Sequence, residues 1–130
     1  MSAALLDTSV VISGAEQLQT AVPEAAAISV ITLGELGAGV RLAGDPSVRA
    51  ARQARFLAVR EAFEPVPVDE LVAEHYGEVL AAARSAGRTT KATDLLIIAT
   101  AKATGRKLHT RDARQAALAQ VTGIAVELIA

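Results

Sequence analysis

The sequence predicts an α/β protein in three layers, with helices on both faces of a mostly parallel central sheet. Three observations carry that expectation. Short apolar runs of β character alternate along the chain with longer helical stretches, the βαβ pattern of a parallel sheet. The clearest helical stretch has its own period: Leu71, Val72, Tyr76, Val79, Leu80 and Ala83 follow the 3.6-residue spacing of a helix. Finally, four acids, Asp7, Glu35, Asp94 and Asp112, stand beside apolar runs where strand hands over to helix. An open parallel sheet gathers such strand ends on one edge, where ligands bind.

Taken in order, residues 3–6 read as the first strand, with Asp7 at its end. A short helix follows over residues 10–13 and 16–20, broken near Pro23. Residues 27–30 form the second strand, and residues 31–43 a helix that stops at Gly44. Asp45-Pro46 opens a longer helix over residues 47–63, which ends before Pro65. Pro67 and Val68 fit a short edge strand, because proline cannot donate to a ladder. The periodic helix spans residues 70–86 and Gly87 supplies its stop. Residues 93–104 are almost wholly apolar and end at Gly105, which predicts a central helix buried on most sides. A strand over residues 106–110, a helix over 112–119 and a last strand over 125–129 complete the chain.

Length and composition frame the reading. One hundred and thirty residues fit a single domain, 1–130, with one core. The chain is 52% hydrophobic but only 2% aromatic, so that core is aliphatic. No apolar run approaches the ~18 residues of a membrane span, and residues 3–6 are too short for a signal peptide. With no cysteine there is neither a disulfide framework nor a thiolate zinc site. No export signal is recognised, so the cytoplasm is the default location. A net charge of −1 excludes binding nucleic acid by bulk charge, leaving that task to local arginines and lysines.

Four carboxylates on one edge repel one another unless a cation neutralises them. The pattern therefore points to a hard divalent metal held by oxygen ligands, and to metal-assisted hydrolysis. Each acid also has a simpler reading. Thr32-Leu33-Gly34-Glu35 matches a capping box. Asp7 and Asp112 fit N-caps, and Asp94 an acid favoured in a first turn by the helix dipole.

The order and flanks of the acids supply the next step. Leu5-Leu6-Asp7-Thr8-Ser9-Val10-Val11-Ile12, Ser29-Val30-Ile31-Thr32-Leu33-Gly34-Glu35-Leu36, Thr93-Asp94-Leu95-Leu96-Ile97-Ile98-Ala99-Thr100-Ala101 and His109-Thr110-Arg111-Asp112 together resemble the PIN-domain ribonucleases, and within them the VapC toxins of bacterial toxin–antitoxin pairs. The resemblance spans essentially the whole chain. It implies a three-layer α/β/α PIN-like fold and an Mg²⁺- or Mn²⁺-dependent endoribonuclease. It also implies an RNA substrate, a cognate antitoxin and a homodimer. Asp7 and Asp94 become the principal metal ligands, with Glu35 and Asp112 binding a second ion or orienting water. Thr8, Ser9 and Thr110 would hold carboxylates or waters in place, helix capping being their alternative role. One departure stands out: many relatives carry a further acid before an aromatic after this last motif, where this chain has Ala113-Arg114-Gln115.

Other chemistries find no residues to carry them. There is no Gly-x-Ser-x-Gly elbow, no cysteine nucleophile and no Walker loop. Of two histidines, His75 reads as a surface residue and His109 as a structural strand residue near Thr110. Gly34, Gly37 and Gly39 lie within a helix at about 1 kcal/mol each relative to alanine, which suggests a close helix crossing or partner approach. Arg88 and Lys91 before Asp94, and Arg106, Lys107 and Arg111 around the last motif, are candidate phosphate contacts, with solvated loop charge as the alternative. Arg52 and Arg55 fall among apolar positions of their helix, a mixed face suited to an RNA path or a protein partner. Two rival classes fit the residues less well. A phospho-accepting receiver domain needs an acidic pair after its first strand, where Asp7 stands alone. A non-catalytic PIN-like binding module usually lacks one or more of the acids, and all four are present.

Overall fold

The computed structural model describes residues 3–13 and 25–129. Five strands form one sheet: β1 (Ala4–Leu6), β2 (Ala26–Ser29), β3 (Glu64–Val66), β4 (Lys107–Thr110) and β5 (Val126–Leu128). Their order is β3-β2-β1-β4-β5 and every pairing is parallel. Six helices connect them among the described residues: α1 (Thr8–Val11), α2 (Val30–Leu42), α3 (Pro46–Ala62), α4 (Glu70–Ser85), α5 (Ala92–Thr104) and α6 (Ala113–Val121).

The layers follow from alternation along the strands. Leu5, Ala27 and Leu108 face one way and pack against Val72, Val79 and Ala83 of α4, the apolar body of α5, and Leu118 of α6. Leu6 and Ile28 face the other way, onto Val10, Val11, Leu36 and Val59 from α1, α2 and α3. Both faces are covered, as parallel sheets require. Helix α5 is buried along most of its length, from Leu95 to Ala101, which explains its near-uniform apolarity. It stops where Gly105 turns left-handed at φ 64°, and Gly87 after α4 does the same at φ 71°. Among the described residues, no helix is long and apolar enough to cross a membrane.

Two expectations need correction. The edge strand lies at Glu64–Val66, not at Pro67 and Val68, with Pro65 inside it. A proline is tolerated there because β3 pairs on one side only. The helix before it ends at Ala62. The first short helix begins at Thr8, directly after Asp7, and the part expected over residues 16–20, with its break near Pro23, lies outside the described residues.

Candidate active site at the carboxyl edge of the sheet

Strand order reverses direction at β1: the chain adds β2 and β3 on one side, then β4 and β5 on the other. The crevice between β1 and β4 is therefore a topological switch point, the place where open parallel sheets hold ligands. Asp7 leaves β1 there, and Thr110, Arg111 and Asp112 leave β4 beside it.

Asp7 is 6% exposed and its backbone N–H donates to the His109 carbonyl at 2.8 Å. Its Oδ2 accepts from Ser9 Oγ at 2.7 Å and from Thr110 Oγ1 at 2.8 Å. Each hydroxyl is in turn an acceptor, Ser9 from the Arg111 N–H and Thr110 from the Asp112 N–H. Both hydroxyl protons are thus committed to Asp7, and the 3.2 Å approach of Ser9 to Thr110 has no proton of its own. Asp7 occupies the N-cap position of α1, yet its side chain makes no capping bond. The carboxylate is held by the Ser9 and Thr110 hydroxyls rather than by the N-terminus of the helix.

Glu35 has a separate support. Thr8 Oγ1 donates to Glu35 Oε1 at 2.6 Å, so the 3.0 Å contact between Thr8 and the buried Thr32 has Thr32 as its donor. The capping box at Thr32 and Glu35 is not formed. Ser29 caps α2 instead, accepting from the Ile31 N–H, and Thr32 sits inside the helix.

Asp94 lies in the first turn of α5. Burial raises its pKa above the ordinary carboxylate value, and the charges of Asp7 and Asp112 raise it further, while Lys91 and Arg114 oppose the rise. Asp112 is both a cap and a neighbour of this group: its Oδ1 accepts the Arg114 N–H at the start of α6. Asp94 thus senses the charges of both Asp7 and Asp112, with Glu35 on the Thr8 side. Among the described residues, no three acids or histidines converge on one ion position.

Gln115 escaped the sequence reading. It is buried, and its Nε2 donates to the Asp94 carbonyl at 3.1 Å, tying α6 to the first turn of α5. The signal for it was present: a glutamine three residues after an N-cap aspartate resembles a capping box, but here the side chain reaches across to a neighbouring helix.

The candidate basic residues divide. Arg88, Lys91 and Arg114 line a cavity of about 400 Å³ together with Asp94 and Asp112. Arg111 lies within the Asp7 network through its backbone. Arg106 and Lys107 belong to the opposite edge of the sheet. Arg106 Nη1 donates to the carbonyls of Ala4 and Ala25, and Lys107 pairs with Glu127. Proximity in sequence misleads here, because the strand between Lys107 and Thr110 carries the chain about 10 Å across the sheet. His109 is buried within β4, where burial pushes its imidazole pKa down, and His75 pairs with Glu78 on α4.

Fold and site together define a parallel α/β domain with a carboxylate-rich ligand crevice. Residues 4–121 match the PIN domain family. The chain is 43% identical over 101 residues to Ribonuclease VapC8 of Mycobacterium tuberculosis, covering 75% of this chain and 89% of that protein. It is 34% identical over 120 residues to Ribonuclease VapC5 of the same organism, covering 90% and 88%. The crystal structure of VapBC-5, a member of the VapBC family of toxin–antitoxin systems from M. tuberculosis, matches with a TM-score of 0.83 at 34% identity, over 99% of this chain and 98% of that one. This chain belongs to the PIN-domain family.

Proposed function

We propose that this protein is a divalent-metal-dependent endoribonuclease, the toxin of a toxin–antitoxin pair, which hydrolyses phosphodiester bonds in RNA. The observation that carries the reading is the electrostatic grouping of Asp7, Asp94 and Asp112 at the β1/β4 crevice, in a chain similar to named VapC ribonucleases. The side chains fit a hard cation: the donors are carboxylate oxygens supported by hydroxyls, and Asp94 bears an ionisation cost that a neighbouring positive charge would remove. In this reading Asp7 and Asp94 hold Mg²⁺ or Mn²⁺, and Glu35 and Asp112 hold a second ion or orient water. Bound there, the metal supplies Lewis acidity toward phosphoryl oxygens and a water nucleophilic near neutral pH. Ser9 and Thr110 fix the Asp7 carboxylate, Thr8 and Thr32 fix Glu35, and Gln115 fixes the backbone of Asp94. Such positioning matters because catalytic groups held in place contribute through reduced reorganisation.

Solved structures similar to this chain include members of toxin–antitoxin systems, and the reading extends to a cognate antitoxin, a homodimer and a cytoplasmic site of action. A second recess, of about 270 Å³, opens between α1, α2 and α3 with Glu35, Leu36, Gly39, Arg52 and Arg55 on its walls. It fits an amphipathic segment of a small partner whose basic side chain meets Glu35.

The test is cleavage of RNA by purified protein in Mg²⁺ or Mn²⁺ against the same reaction in chelator. Asp7→Asn and Asp94→Asn keep the shape of the side chain and remove the charge, so each abolishes cleavage while the circular dichroism stays native. Near wild-type cleavage by either variant would sink the metal-site assignment.

A further inference from the structure

The cavity beside the acids has a wall that the acids do not explain. Besides Asp94 and Asp112 it is lined by Arg88, Lys91 and Arg114, together with Thr89, Thr90 and Leu118. Among the described residues, none of these three cations has an ion-pair partner; the pairs formed are those of His75 and Lys102 with Glu78 and of Lys107 with Glu127. Their placement does not serve the helices either. Lys91 is the N-cap residue of α5 and Arg114 sits in the first turn of α6. Cations at those ends oppose the helix dipole. Lys91 and Arg114 act on Asp94 only through space, without a direct ion pair, so all three cations keep their donors open to an external anion.

We propose that Arg88, Lys91 and Arg114 form a phosphate-binding subsite for single-stranded RNA, gripping the backbone next to the bond on which Asp7, Asp94 and Asp112 act. The proposal rests on the ribonuclease reading and deepens it by naming what holds the strand. A polyanion is repelled by the acids, and a chain of net charge −1 gives it no general attraction. Local cations must offset that repulsion within reach of the acids, and this cavity holds both signs of charge. A recess of about 400 Å³ admits a splayed nucleotide but not a stacked duplex. No aromatic side chain lines it, so base stacking contributes little and phosphate contacts dominate.

Binding dominated by phosphates is steeply salt-dependent, and that is the readout. A fluorescein-labelled single-stranded oligoribonucleotide is titrated in chelator, where nothing is cut, across a series of KCl concentrations. For single strands each phosphate contact adds about 0.7 to the slope of log K against log salt. The Arg88→Gln/Arg114→Gln double variant therefore loses ~1.4 in slope and tenfold or more in affinity at low salt. Both side chains are exposed, so the double variant keeps the native circular dichroism, and Arg60→Gln, an exposed change on α3, keeps the wild-type slope. An unlabelled RNA duplex of equal length competes poorly for wild-type protein. A wild-type slope in the double variant overturns the subsite. Cleavage of RNA by the wild-type protein in Mg²⁺ separates the two failures: if cleavage persists, only the subsite is lost, and if no RNA is cut, the ribonuclease reading falls and the subsite with it.

Discussion

Asp94 shows how a single residue can be held at an electrostatic cost to the fold. Its carboxyl is half-buried, and burial and then Asp7 and Asp112 all favour its protonated form. Because the folded pKa is raised above 3.8, ionisation costs stability. That cost is absent below the unfolded value of 3.8, grows as pH rises from there to the folded pKa, and is constant above it. Two like charges ~5 Å apart interact by roughly 3 kcal/mol at an effective dielectric near 20. Solvent around a partly exposed group reduces the net relief to ~1 kcal/mol. Asp94→Asn is therefore expected to melt about 3 °C above wild type in chelator at pH 7, with the gap closing as pH falls toward 4. A first-turn acid that merely served the helix dipole would behave the opposite way, with the asparagine neutral or less stable. Melting curves at three or four pH values decide between them.

At the scale of elements, what the sequence made legible was whatever local pattern determines. The period of α4, the uniform apolarity of α5 and the glycines that end both are local properties, and the structure reproduces them except at Leu71, which is exposed. Three features were not local. Ser29 takes the N-cap of α2, which frees Thr32 and Glu35 for the Thr8 network, and only the position of β1 beside β2 brings Thr8 there. Gln115 reaches Asp94 because α6 lies against the start of α5. Arg106 and Lys107 sit close to Asp112 in sequence but a strand's length away in space. The glycines of α2 divide the same way. A Cβ at Gly37 would meet Phe56 only at 3.7 Å, and at Gly34 and Gly39 it would meet nothing within 4 Å. The helices do not cross closely enough to require glycine, and Gly39 lies on the wall of the smaller recess, where the proposed partner would approach. Gly39→Ala is thus expected to stabilise the isolated chain by up to about 1 kcal/mol through helix propensity and to weaken antitoxin binding. Hydrogen-exchange protection on adding the partner should concentrate on α2 and α3. Protection confined to α4, or a Gly39→Ala variant that binds the antitoxin as tightly as wild type, would remove the recess from the interface.

The whole molecule separates scaffold from site by the direction of its strands. The amino edge of the sheet is closed by internal contacts, with Arg106 bridging the carbonyls of Ala4 and Ala25 and Lys107 paired to Glu127. The carboxyl edge keeps like charges together at the switch point, and cations that form no ion pair line the same cavity. The strand order 3-2-1-4-5 also differs from the 2-1-3-4-5 order of receiver-type folds, whose switch point lies elsewhere in the chain. An arrangement that stores repulsion at one edge couples global stability to whatever neutralises that edge. Linkage fixes the size of the effect: a ligand of the folded state present at a hundred times its Kd adds about 2.7 kcal/mol. Millimolar Mg²⁺ or Mn²⁺ is therefore expected to raise the wild-type melting temperature by several degrees, in a concentration-dependent manner that chelator reverses. Asp94→Asn starts higher in chelator and gains little from metal, so the two titration curves converge or cross. Ionic strength is matched with KCl throughout, because screening alone would also relieve repulsion between exposed charges. If the wild-type melt ignores both metals while Asp94→Asn is no more stable in chelator, the acids at the β1/β4 crevice hold no cation, and their grouping needs another explanation.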